Sequence, residues 1–195
     1  MMRIITGKAR GVRLSTLEGS NTRPTSERVK EAIFSILQFE LNGATVLDLF
    51  AGSGQMGLET LSRGAKKAFF CDLSKSAVAI IKENAKKTRL ESQCEIYQGD
   101  YKIFLQRLER REAFDLVFLD PPYALSLIPQ ALSDLAEHHL LVDGAKLICE
   151  SASPDDVFGT DTSLSKHFEI LKQTRYGIAH VTILQYHRDD GKELV

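Results

Sequence analysis

Thr45-Val46-Leu47-Asp48-Leu49-Phe50 runs without a break into Ala51-Gly52-Ser53-Gly54-Gln55-Met56-Gly57. The first six residues form the short apolar run of a strand buried on both faces. Gly52, Gly54 and Gly57 then fulfil G-x-G-x-x-G, and the pattern beyond them reads as a helix ending near Arg63-Gly64. Glycines in such a turn let the backbone bend tightly and approach a ligand, while the free N–H groups of the helix favour negative charge. Asp72 lies about twenty residues downstream, where an acid can bind ribose hydroxyls. The stretch specifies a nucleoside cofactor, and the identity of the nucleoside must come from its neighbours.

Outward from this stretch the rhythm of strand, turn and helix repeats. Further strands are expected at Lys67–Cys71, Cys94–Tyr97, Phe114–Leu119, Lys146–Glu150, Phe168–Thr174 and Val181–Tyr186. Ser74 is positioned to cap a helix that runs to about Lys87. The gap between the last two strands is too short for a helical crossover, so they should pair antiparallel. The fold class is therefore α/β, a mainly parallel seven-stranded sheet with an antiparallel finish. In such sheets ligands bind beyond the carboxyl ends of the strands, at the topological switch point.

The chain has 195 residues, is 43% hydrophobic and 26% charged, and carries a net charge of -1. That composition excludes disorder, collagen and coiled coil. No apolar run reaches the ~20 residues of a membrane helix, and no secretory signal follows the first basic residue. Three Cys without a C-x-x-C support neither a disulfide framework nor a thiolate zinc site, and point to a reducing, cytoplasmic setting. Cys71, Cys94 and Cys149 fall in strands and read as inert core. His138-His139 and the scattered His167, His180 and His187 have no metal-spaced companions. No metal is expected.

The near-neutral total hides an asymmetry: residues 1–30 hold seven Lys or Arg against two acids. A basic extension on an acidic body suits a polyanionic partner. Two short strands around a Gly-punctuated turn are expected from Arg3 to Leu14, then a helix opened by Arg23-Pro24-Thr25-Ser26. Its apolar positions are Val29, Ala32, Ile33, Ile36 and Leu37, with Arg28 and Lys30 on the other face. The expected division is a basic extension over 1–40 and the α/β domain over 41–195. Arg3, Lys8, Arg10, Arg13, Arg23, Thr25 and Arg28 are the candidate contacts to such a partner.

Asp48 bears on the nucleoside. A carboxylate ahead of the glycines repels a pyrophosphate but suits an ammonium group, which favours S-adenosylmethionine over a dinucleotide. Asp100 can accept from an adenine amino group or cap the helix Tyr101–Leu108. Phe50, Ala51, Gly52, Ser53, Gly54 and Tyr101 complete the candidate cofactor contacts. Asp120-Pro121-Pro122-Tyr123 follows a later strand. The two prolines remove N–H donors, so local carbonyls should project into the site. A carboxylate and a proline carbonyl can take both hydrogens of an exocyclic amine, and Tyr123 offers a ring for stacking. Holding the amine tetrahedral frees its lone pair, and the carboxylate stabilises the charge developing on nitrogen.

Together these residues resemble the RsmD-type 16S ribosomal RNA (guanine(966)-N2)-methyltransferases. The resemblance runs through Arg3-Ile4-Ile5, Gly7-Lys8, Arg10-Gly11, Arg23-Pro24-Thr25 and Arg28-Val29-Lys30-Glu31. It continues through Asp48–Gly57, Leu58-Glu59, Leu61-Ser62-Arg63-Gly64-Ala65 and Asp120–Tyr123. It implies a Rossmann-like methyltransferase fold with a small N-terminal β-hairpin and helix, and S-adenosylmethionine as cofactor. It also implies methylation of a guanine N2 amine in 16S rRNA, with the rRNA or the small ribosomal subunit as partner. Where the family shows Glu and a second acid, this chain has Asp72 and Ser74, so the ribose contact differs. A monomer is the default expectation. A DNA adenine-N6 methyltransferase is the alternative within the same chemistry. An NAD-dependent oxidoreductase and a non-catalytic RNA-binding protein are alternatives from other classes.

Overall fold

The computed structural model describes residues 2–16 and 27–188, apart from the Arg28 side chain. Arg23, Pro24 and Thr25 lie outside the described residues. The elements in chain order are α1 (Glu27–Ile36), β1 (Thr45–Asp48), α2 (Gln55–Ser62), β2 (Lys67–Asp72), α3 (Lys75–Thr88) and β3 (Cys94–Gln98). There follow α4 (Tyr101–Leu108), β4 (Phe114–Leu119), α5 (Ile128–Glu137), β5 (Leu141–Ser151), β6 (Phe168–Tyr176) and β7 (Ala179–Tyr186). The seven strands form one sheet in the order β3-β2-β1-β4-β5-β7-β6. β1–β2, β2–β3 and β4–β5 pair in parallel, and β7 is antiparallel to both β5 and β6. The expected α/β sheet with its antiparallel finish is present. Among the described residues no helix is long and apolar enough to cross a membrane.

The chain divides into two compact units, Met1–Phe104 and Leu105–Val195. In the first, the parallel register sets Asp48 opposite Phe70 and Asp72 opposite Gln98, so both acids end their strands. Val46, Leu47 and Phe70 have no exposed surface, as befits strands covered on both faces. Ser74 caps α3 by accepting the Ala77 N–H at 3.3 Å.

All eight residues of α2 are buried, its polar ones included. The reason lies in residues 2–16, which lay their backbone against this helix. Glu59 Oε2 accepts the Ile5 N–H at 2.8 Å and Oε1 the Thr6 N–H at 3.0 Å. Ser62 Oγ accepts the Ala9 N–H at 2.9 Å and donates to the Thr6 carbonyl at 2.6 Å. Gly7, at φ 87°, passes so close that a Cβ there would sit 1.9 Å from the Ser62 carbonyl oxygen. Ile4, Ala9 and Leu14 turn into the core.

The expected N-terminal hairpin shrinks accordingly. Among the described residues its two arms are joined by one isolated antiparallel bridge, Arg3 to Arg13, and by the Gly11 N–H on the Ile4 carbonyl at 2.8 Å, while side chains of α2 satisfy the Ile5 and Thr6 amides that a partner strand would otherwise serve. The helix pattern needs two corrections. Lys30, expected on the outer face, is 1% exposed and donates from Nζ to the Arg3 carbonyl at 2.9 Å. Ile36, expected inward, ends α1 and is 40% exposed, while Phe34 is fully buried.

In the second unit β4 and β5 carry the core, with Leu116, Val117 and Leu147 almost wholly buried. α5 buries Ile128, Ala131, Leu132 and Leu135, the i, i+3, i+4, i+7 stripe of an amphipathic helix. β5 starts earlier and ends later than its apolar run suggests. Cys71 and Cys149 are buried, but Cys94 is only half-buried. His138 has an acidic neighbour after all, with Nδ1 3.4 Å from Glu109 Oε2.

Candidate active site

The glycine turn lies in the first unit. Phe50 and Ala51 N–H groups both donate to the Cys71 carbonyl, at 3.2 and 3.0 Å, which ties the turn to the end of β2. Phe50 holds φ 115°, a region that L-residues rarely occupy and that costs roughly 1–3 kcal/mol. Its ring stands edge-on to Tyr101 with centroids 5.3 Å apart. Gly54 is left-handed at φ 74° and caps α2. Gly57 serves packing rather than conformation: a Cβ there would meet Phe70 Cε1 at 2.3 Å. At Gly52, also with positive φ, a Cβ would meet nothing within 4 Å.

Three acids frame this turn. Asp48 is 5% exposed, and its Oδ2 accepts the Gly57 N–H at 3.0 Å. Burial pushes its carboxyl up to about 7, with the Gly57 bond opposing and the charge of Asp72 adding to the rise. A carboxyl group of the chain itself thus serves the opening turn of α2. Asp72 Oδ2 accepts the Gly52 N–H and Oδ1 the Ser74 N–H, each at 2.8 Å. It joins the glycine turn to the cap of α3, and each oxygen keeps a second lone pair. Asp100 Oδ1 accepts the Lys102 N–H at 2.8 Å, so it is the cap of α4 that the sequence allowed. Ser53 donates from Oγ to Met2 Sδ at 3.2 Å, and its carbonyl accepts from Asn84.

In the second unit, Asp120–Tyr123 follows directly after β4. Asp120 is exposed and Pro121 buried. The Pro122 carbonyl accepts the Leu125 N–H at 3.1 Å and closes a 3-10 turn over Tyr123–Leu125. This corrects the expectation that the local carbonyls project into the site: that of Pro122 is engaged within its own turn. Tyr123 is 38% exposed, and its hydroxyl donates to Glu150 Oε1 at 3.0 Å. Burial, then the Glu150 and Asp120 carboxylates, hold the phenol protonated well above its ordinary value. A small recess beside it is lined by Pro121, Pro122, Tyr123, Ser126 and Glu150.

Of the candidate RNA contacts, Arg3, Lys8, Arg10 and Arg13 are exposed. Arg3 pairs with Glu27 at 3.0 Å, and Lys8 Nζ donates to Gln93 Oε1 at 2.6 Å. Arg23 and Thr25 lie outside the described residues, as does the Arg28 side chain.

Sequence reasoning missed Glu59, Asn84 and Glu150. Glu59 stands four residues before Arg63, which reads as an ordinary surface ion pair. Its only warning is a carboxylate among apolar helix neighbours. Asn84 and Glu150 give no local signal.

The profile of a family described as Conserved hypothetical protein 95 matches residues 2–185. Ribosomal RNA small subunit methyltransferase D of Haemophilus influenzae is 35% identical over 185 residues, 94% of this chain and 93% of its own. This chain belongs to that family. The protein of the same name in Escherichia coli K12 is 30% identical, covering 86% of this chain and 83% of its own. The solved structure of yhhF from Escherichia coli covers 96% of this chain and 98% of its own, with 27% identity and a TM-score of 0.83. An RNA methyltransferase of Salinibacter ruber, solved with S-adenosyl-L-homocysteine, shares the fold at 14% identity and a TM-score of 0.64. The family resemblance read from the motifs is thereby met.

Proposed function

We propose that this protein methylates the exocyclic N2 amine of a guanine in 16S rRNA, with S-adenosylmethionine as donor. The observation that carries the cofactor choice is Asp48. Its buried carboxyl already takes the Gly57 N–H at the start of α2, where a dinucleotide enzyme offers N–H groups to a pyrophosphate. Phosphate there would meet a carboxylate at close range. A phosphate-free nucleoside with an ammonium group turns the same carboxylate into a partner. The names of the family's relatives support rRNA of the small subunit as substrate.

When bound, S-adenosylmethionine supplies an electrophilic methyl group. Asp48 faces its ammonium, Asp72 its ribose and Asp100 its adenine, while Phe50, Ala51, Gly52, Ser53, Gly54 and Tyr101 shape the turn around it. Asp120 and the Pro121 carbonyl accept the two N–H bonds of the target amine, with Pro122 fixing the backbone. Tyr123 stacks on the base, which must be extruded from its helix to be reached. The Asp120 carboxylate stabilises the positive charge forming on nitrogen and takes up the departing proton. Residues 1–40 carry the RNA contacts, through Arg3, Lys8, Arg10 and Arg13 together with Arg23, Thr25 and Arg28. The protein acts as a cytoplasmic monomer on the assembling subunit.

The test is transfer of tritiated methyl groups onto small-subunit rRNA, free and in particles, followed by nucleoside analysis. N2-methylguanosine is the expected product. N6-methyladenine in DNA, or tight NADH binding without S-adenosylmethionine binding, would overturn the reading.

A further inference from the structure

We propose that Asn84 is a positioning residue that couples the glycine turn to the N-terminal arm, so that cofactor and RNA bind cooperatively. This rests on the reading of the turn as the cofactor site and of residues 2–16 as part of the RNA-binding extension.

Asn84 lies on α3 and has no exposed surface. Its acceptor and both its donors are engaged, and all the partners are backbone atoms of two other segments. Oδ1 accepts the Ser15 N–H at 2.7 Å, and Nδ2 donates to the Ser15 carbonyl at 3.0 Å. The second Nδ2 hydrogen goes to the Ser53 carbonyl at 2.9 Å, between Gly52 and Gly54. The pair on Ser15 imitates one rung of a β-ladder, and the third bond grips the middle of the turn. Only a primary carboxamide of this length offers one acceptor and two donors from a single group. Aspartate keeps the acceptor and loses both donors.

A second link reaches the same turn from the other end of the arm, where Ser53 Oγ meets Met2 Sδ at 3.2 Å. Ser15 is further held by Glu83 and Lys87 on α3, at 2.8 and 2.7 Å from its hydroxyl. The arm that carries Lys8, Arg10 and Arg13 is thus tied at both ends to the residue flanked by the cofactor glycines. A buried, fully satisfied polar bridge has few alternative arrangements. A ligand that fixes the Ser53 carbonyl therefore fixes Ser15, and RNA that fixes the arm fixes the turn. Linkage makes the effect reciprocal.

The experiment measures binding of a small-subunit rRNA transcript with and without saturating S-adenosylhomocysteine, and S-adenosylhomocysteine affinity with and without RNA. Wild-type protein should show the same enhancement both ways, about tenfold. Asn84→Asp, checked for a native near-ultraviolet circular dichroism spectrum, should still bind each ligand with the enhancement reduced to about one. A merely structural asparagine would lower thermal stability and leave the enhancement as in wild type, which would overturn the proposal. If the variant fails to fold, hydrogen exchange on wild-type protein decides: S-adenosylhomocysteine should slow exchange of the Ser15 amide, and unchanged exchange overturns the coupling. Failure of the underlying reading looks different. It would show as RNA affinity indifferent to Arg10→Gln with Arg13→Gln, or as no S-adenosylhomocysteine binding at all.

Discussion

The Tyr123 hydroxyl donates to Glu150 Oε1 at 3.0 Å, which joins the aromatic residue of the Asp-Pro-Pro-Tyr turn to the far end of β5. The ring is over a third exposed, so packing alone does not hold it. In the proposed role of Tyr123 as a stacking platform, this bond anchors the tip of the ring before the base arrives. Glu150→Ala should therefore lower methyl transfer by about 10–100-fold, chiefly in kcat, with S-adenosylhomocysteine affinity unchanged. Asp120→Ala should lose roughly 10²–10³ in single-turnover rate, again at constant cofactor affinity. Rates near wild type in either variant would remove that residue from the reaction.

If Asp48 holds the ammonium group as proposed, cofactor binding should depend on pH. Its folded carboxyl titrates at about 7, above its ordinary 3.8, because burial disfavours the charge. Below about 7 the empty protein holds the neutral form, and above it the carboxylate. The stability that this proton contributes is complete below the unfolded value and is lost as pH rises through about 7. A ligand ammonium prefers the carboxylate, so binding expels the proton. S-adenosylhomocysteine affinity should rise between pH 6 and 8, by up to about tenfold per unit below the titration point. Asp48→Asn should bind more weakly and show a flat profile over the same range. Calorimetry in buffers of different ionisation enthalpy reads the released proton directly.

The glycines of the turn should separate by role. Gly57→Ala drives a methyl group into the Phe70 ring, where no flexible atom can give way. It should destabilise the fold by about 1–3 kcal/mol, read as a lower denaturant midpoint. Gly52→Ala meets open space but must hold φ 55°. Its stability loss should be about 1–2 kcal/mol, with a larger relative loss in cofactor affinity. Equal stability and affinity profiles for the two variants would refute this division.

Glu59 carries the largest single stability expectation. It has no exposed surface and accepts from Ile5 N, Thr6 N and Arg63 Nε, the last at 2.8 Å. Glu59→Ala leaves two amides and a guanidinium without their acceptor, a loss of about 3–5 kcal/mol. Chemical denaturation with an unchanged m-value is the expected signature. A loss under about 1 kcal/mol would mean that water replaces the carboxylate.

For the arginines, Arg10→Gln with Arg13→Gln should weaken rRNA binding and flatten its logarithmic salt slope by about 0.7–0.9 for each phosphate that the protein no longer neutralises. Cofactor affinity should stay constant. An unchanged slope would assign both side chains to plain solvation.

The strands were legible because a buried parallel strand must be a short apolar run, as in Phe114–Leu119, although β1 stops at Asp48 and the apolar Leu49-Phe50 that follow already belong to the turn. The turn residues were legible for the same local reason, since strand, glycines and helix are contiguous. Where a residue's role was set by a distant segment, the sequence misled. Lys30 reads as a solvated charge until the Arg3 carbonyl is known to lie against it. The N-terminal hairpin reads as two strands until Glu59 and Ser62 are seen to take its amides. Gly57 completes a cofactor motif on paper, yet its demand comes from the Phe70 ring. Long-range satisfaction of backbone groups leaves no periodic trace.

The way the arm is fastened also sets an order of events during synthesis. Ser15 meets its partner 69 positions later, and Ile5 meets Glu59 54 positions later. Residues 2–16 therefore leave the ribosome well before any of the groups that will hold them. Until α2 and then α3 emerge, the amides of Ile5, Thr6, Ala9 and Ser15 lack the side-chain acceptors that hold them in the folded unit. Docking of residues 2–16 is therefore a long-range event, dependent on segments made more than fifty residues later.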